Sequence, residues 1–136
     1  MLGSAGRSEF FAREAADYLR ALEPLLGEAP PEGDSFVRLA RALRGAAMLA
    51  GPASFTRAAS QLEQISRRAG DPSFDWVAAA PRLREAHAVF VRLTGRATSW
   101  DAALDLEADD LGQLLGEIVT APSPAPPASS APARPP

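Results

Sequence analysis

The stretch RALRGAAMLAGPASFTRAASQLE, residues 41–63, reads as two helices folded back on each other around a corner at Gly51 and Pro52. Before the corner, Phe36, Leu39/Ala40, Leu43, Ala47 and Ala50 recur at the three-and-four spacing of one helical face, predicting a helix over 35–50. After it, Phe55, Ala58/Ala59, Leu62, Ile65/Ser66 and Ala69 repeat the pattern over 53–69. Gly51 is expected to stop the first of these helices as a left-handed cap, and Pro52 cannot continue it. So short a link makes the two helices antiparallel neighbours. Arg41 lies ten residues before Gly51 and Glu63 eleven after Pro52, so the two are expected to face each other as an exposed ion pair.

Outward from this hairpin the same periodicity continues. Phe11, Ala15, Tyr18, Leu19, Leu22, Leu25 and Leu26 form the stripe of a helix over 8–26, and GEAPPEGD closes it, with Asp34 or Ser35 available to cap the next helix. A fourth helix is predicted over 75–96 with Val77, Ala80, Leu83, Ala86, Phe90 and Leu93 inward, kinked at Pro81 or beginning there. TSWD (98–101) matches a capping box for a fifth helix over 100–119, striped by Leu104, Leu111, Leu114/Leu115 and Ile118 and weakened by Gly112 and Gly116. From Thr120 the chain has seven prolines in seventeen residues and no large apolar side chain, the composition of a disordered tail or linker. The expectation is an all-α antiparallel up-down four-helix bundle over 1–96, an appended acidic helix over 97–119, packed against the bundle or loose, and a disordered Pro-rich tail over 120–136.

Composition excludes several function classes. With no cysteine in 136 residues, there is no disulfide scaffold, zinc-thiolate site or cysteine nucleophile. No window approaches a membrane span and MLGSAGRSEF lacks a signal-peptide core, so a cytoplasmic chain with no membrane contact is expected. The formal net charge of −3 and the absence of aromatics interleaved with the basic residues argue against nucleic acid. A single histidine, His87, rules out a histidine-rich metal site and leaves a Ser/His/Asp triad without context, so neither metal nor cofactor is expected. All fourteen basic residues are arginine.

Chemistry concentrates on the hairpin. Arg41, Arg44, Gly45 and Met48 share one helical face, with Arg38 one turn earlier, and Thr56, Ser60, Glu63 and Arg67 form the facing stripe. Gly45 removes the side chain beside position 41, leaving it approachable. RALRGAAMLAG followed by LE resembles the HxLKGxAxxxG and LE signature of histidine-containing phosphotransfer (HPt) domains. FFAREAADYLRALEPLL is similar to the first helix of the amino-terminal phosphotransfer domain of chemotaxis-type histidine kinases, and the fifth helix resembles the one such domains append. The resemblance spans roughly residues 8–95, with Leu43, Gly45, Ala47, Gly51, Leu62 and Glu63 at motif positions and Arg44 in place of the usual lysine. It implies an HPt-like fold and a docking surface for a response-regulator receiver or a histidine kinase.

It does not carry the activity over. Arg41 stands where the phosphoaccepting histidine would be, and a guanidinium stays protonated and offers no lone pair to phosphorus. The residues expected to bind a partner are therefore Arg38, Arg41, Arg44, Gly45, Met48, Ser60, Glu63 and Arg67, in a pseudo-HPt signalling module that is not an enzyme. Helices two and three carry Arg38, Arg41, Arg44, Arg57, Arg67 and Arg68 against Glu63 alone, complementary to a receiver's carboxylates, while 97–120 holds six carboxylates and no base. Those acids could instead fold over the basic face and mask it. The alternatives are a structural or self-associating bundle at the head of a larger protein, and phosphotransfer through His87.

Overall fold

The computed structural model describes residues 4–121. Among them the chain is all-helical: α1 (Ser4–Leu22), α2 (Ser35–Ala50), α3 (Ala53–Arg68), α4 (Trp76–Thr94) and α5 (Ala102–Thr120), with 3-10 turns at Glu23–Leu25 and Ala97–Ser99. The tail expected beyond Thr120 lies, apart from Ala121, outside the described residues.

Neighbouring helices close a ring. α1 packs beside α2, α2 beside α3, α3 beside α5, α5 beside α4, and α4 beside α1. The core they enclose is continuous. Phe55 of α3 stands edge-on to Phe11 of α1 and to Phe90 of α4, with ring centroids 4.8 and 5.1 Å apart, a geometry that adds to the apolar area these rings bury. α5 belongs to this core, since Leu104, Ala108, Leu111, Leu115 and Ile118 are all buried in it. Of the two placements open in the sequence, α5 takes the packed one, and its glycines have a use. Gly112 lies against the backbone of Ala58 and Gly116 against the side chain of Gln61, so α5 rides close on α3.

Several boundaries move for identifiable reasons. α1 begins earlier than the stripe indicates and leaves α-helical geometry at Leu22, because Pro24 lacks an N–H and its ring opposes the carbonyl four residues back. α2 starts at Ser35 after Asp34, but neither side chain caps it; Ser35 Oγ instead accepts from Arg38. α4 runs unbroken through Pro81, which sits on the exposed side where water can replace the missing donor. Its N-cap is Asp75, whose carboxylate accepts from the Ala78 N–H.

Three expectations are corrected. Gly51 is not a left-handed cap: its φ of −104° and ψ of 177° are extended backbone. Glycine is needed there for space, because a Cβ would come 2.9 Å from Phe11 Cε1 and 3.0 Å from Ala47 Cα. The capping box at 98–101 does not form; Thr98 and Ser99 lie in a 3-10 turn and Asp101 alone caps α5, accepting from the Leu104 N–H. Val77 is 78% exposed, because the inward face of α4 runs through Trp76, Ala79, Ala80 and Leu83. Trp76 fills the place assigned to it, edge-on to Phe36 and donating its indole N–H to the Gly27 carbonyl.

Candidate functional site

The antiparallel α2–α3 pair carries a charged cluster on its outer side. Glu63 is at its centre, with only 6% of its side chain exposed, and three arginines converge on it. Arg67, one turn further along α3, donates to Oε2 at 2.6 Å, and Arg41 of α2 donates its Nε–H to the same oxygen at 3.4 Å. Arg44 places Nε 2.7 Å from Oε1. That N–H does not aim at the oxygen, and it is buried with no hydrogen-bond acceptor, so the contact is one of charge alone.

The cluster corrects the expected simple exposed pair. Its cations are open, with Arg41 and Arg67 59% and 58% exposed, but the shared carboxylate lies underneath. Burial on its own pushes the Glu63 carboxyl up. The hydrogen bonds from Arg67 and Arg41 and the charges of Arg44 and Arg67 outweigh burial and hold it below the ordinary glutamate value of 4.5. Glu63 is thus a fixed anion that orients guanidiniums.

The other expected residues divide. Gly45 is exposed, with nothing within 4 Å of where a Cβ would stand, so the surface between Arg41 and Met48 is open. Met48 is 65% exposed on the same side of α2, and Leu49 beside it is equally so. Arg38 does not join the cluster; it bonds Ser35 on its own helix. Ser60 does not either, since its hydroxyl donates to the Thr56 carbonyl one turn back. Helix spacing in the sequence pairs Glu63 with Arg41 alone, whereas in the structure Arg44 and Arg67 share it. The signal was present, because a glutamate four residues before an arginine is the favoured order for a helical ion pair.

The acids of α5 do not mask this cluster. Asp109 pairs with Arg57, Glu117 with Arg82 and Glu107 with Arg92. Arg68 donates to the Val119 carbonyl and lies over the Phe74 ring. Asp105 accepts from the Trp100 indole and from Ser54, both at 2.7 Å, and these bonds hold its carboxyl below the usual aspartate range. Two of the six arginines expected to form one basic face, Arg57 and Arg68, are therefore engaged by α5.

His87 sits elsewhere, half-buried on α4, with Nε2 2.7 Å from the Leu19 carbonyl oxygen. A carbonyl only accepts, so Nε2 carries a hydrogen and is committed to that bond. The ring borders a cavity of about 470 Å³ between α1 and α4, lined mainly by Ala12, Ala16, Leu19, Val91 and Thr94. Among the described residues no group of three or more His, Asp or Glu side chains could hold a metal, and no helix is long and apolar enough to cross a membrane.

Comparison with protein-family models, with curated proteins and with solved structures gives no significant match.

Proposed function

We propose that this chain is a pseudo-HPt module of a two-component phosphorelay: an HPt-like helical bundle whose ring is closed by α5 between α3 and α4, docking a receiver domain or a histidine kinase in the cytoplasm without accepting phosphate at Arg41. One observation carries the reading. Arg41 stands exposed on the outer side of the α2–α3 pair, one turn from the bare Gly45 and bonded to Glu63, where the HPt signature has its histidine and that histidine's acidic partner. A guanidinium there supplies charge and hydrogen bonds and no nucleophile. A receiver presents carboxylates around its phosphorylated aspartate, and the unmasked Arg41, Arg44 and Arg67 complement them. Exposed Met48 and Leu49 add apolar contact beside the charges.

The test is binding of receiver domains from the same organism to the wild type and to the double variant Arg41→Glu, Arg44→Glu. Loss of binding in the variant is the expected result; an unchanged affinity for every receiver overturns the reading.

A second reading, a structural or self-associating bundle, draws on the same exposed Met48 and Leu49, two large apolar side chains side by side on α2. Sedimentation separates the two, because a stable dimer that buries α2 and α3 leaves no docking face.

A further inference from the structure

Glu63 has more cations than its charge requires. Three guanidiniums meet one carboxylate, leaving an excess of two positive charges at one point of the α2–α3 surface. Each guanidinium carries five N–H donors, and Arg41 and Arg67 each give one hydrogen bond to Glu63. Their remaining donors face solvent, and the Arg44 Nε–H is buried without an acceptor. The carboxylate lies beneath the guanidiniums, so it fixes their positions without covering them. Gly45 leaves room beside Arg41, and the α5 carboxylates Asp109, Glu117 and Glu107 pair with Arg57, Arg82 and Arg92 and not with this cluster. Clustered guanidiniums with free N–H donors suit an oxyanion with several acceptor oxygens, and an excess of two charges matches a phosphoryl dianion better than a single carboxylate.

We propose that Arg41, Arg44 and Arg67, held by Glu63, form a noncovalent seat for a phosphoryl group carried by the partner, namely the phosphorylated aspartate of a receiver domain. The module then distinguishes the phosphorylated from the unphosphorylated receiver instead of taking the phosphoryl group from it. No bond to phosphorus forms or breaks; the guanidiniums donate hydrogen bonds to its oxygens. This inference rests on the docking reading above and adds which state of the partner is bound.

Two measurements on the full chain test it. In the first, the arginine Nε–H signals of ¹⁵N-labelled protein are followed while inorganic phosphate is added, with sodium chloride at matched ionic strength as control. Saturable shifts confined to Arg41, Arg44 and Arg67 are expected with phosphate only; their absence overturns the inference. In the second, a receiver domain from the same organism is titrated with and without beryllofluoride, which mimics the phosphoryl group on its aspartate. About tenfold tighter binding of the treated form is expected, one decade in Kd. Arg67→Gln, which takes one of the three guanidiniums out of the seat, should remove that preference, bringing the Kd values for treated and untreated receiver to within about twofold of each other. Equal affinity for both forms overturns the inference and leaves docking standing. No binding of either form overturns both.

Discussion

Replacing Glu63 by glutamine keeps the size of the side chain and removes the charge that three arginines share. Two contacts are hydrogen bonds, from Arg67 at 2.6 Å and Arg41 at 3.4 Å, and the third, from Arg44 at 2.7 Å, is Coulombic. A hydrogen bond to a charged group contributes roughly 1.5–3 kcal/mol; in the variant the two bonds keep a charged donor but lose the anionic acceptor, and with the attraction to Arg44 also gone the gross loss is about 2 kcal/mol. Water partly offsets this. The guanidiniums of Arg41 and Arg67 are more than half exposed and rehydrate when released, and glutamine costs less to bury than an anion, so the net loss is about 1–2 kcal/mol. For a helical domain of this size that is a fall of roughly 3–10 °C in Tm, measurable by circular dichroism at pH 7.

The pH dependence sharpens the test. Glu63 has its folded pKa held below the ordinary 4.5, so its contribution is complete above that value and is lost as pH falls through the folded pKa. Wild type and Glu63→Gln should therefore differ at pH 7 and converge in acid below pH 4.5. Equal stabilities at pH 7, or a gap that persists unchanged at the acid end, would refute the placing of Glu63 as a buried, ionised hub.

Two further perturbations probe how the site is held. Gly51→Ala is expected to destabilise by about 1–3 kcal/mol in chemical denaturation, the usual cost of overpacking, because the new methyl meets the Phe11 ring and the Ala47 backbone. A neutral result would show that α1 has room to withdraw from the hairpin. Leu115→Ala, at a fully buried position of α5, should cost about 2–5 kcal/mol within one cooperative unfolding transition. A separate early transition, or a loss well below this range, would mean that α5 is not part of the core.

The hairpin was legible in the sequence because Phe36, Leu43, Phe55, Leu62 and Ile65 repeat at helical spacing on both sides of a Gly-Pro corner, and each is buried where the pattern put it. Periodicity names a face, however, and does not give the depth to which a side chain on that face sinks. By periodicity Glu63 is one half of a surface pair, although its neighbours Leu62 and Ser66 carry it into the seam between α2 and α3. Val77 fails for a related reason. At the first turn of α4 a stripe has few members, and the large indole of Trp76, one residue away, sets the inward direction. The position of α5 against α3 was beyond sequence reasoning, since its apolar stripe fits several flanks. What selects one is the pairing of Ser54 with Asp105 and Arg57 with Asp109, together with the low profile of Gly112 against Ala58.

The most direct test of the proposed site is phosphorylation of Arg41→His beside the wild type, using a phosphorylated receiver from the same organism as donor and radiolabelled phosphate as readout. Histidine at position 41 would stand on the open side of α2, next to Gly45 and within reach of Glu63, and only the nucleophile would have been restored. The account expects no label on the wild type and label on Arg41→His. Label on the wild type that disappears in His87→Ala, or a correctly folded Arg41→His that takes no label from any receiver it binds, would contradict it.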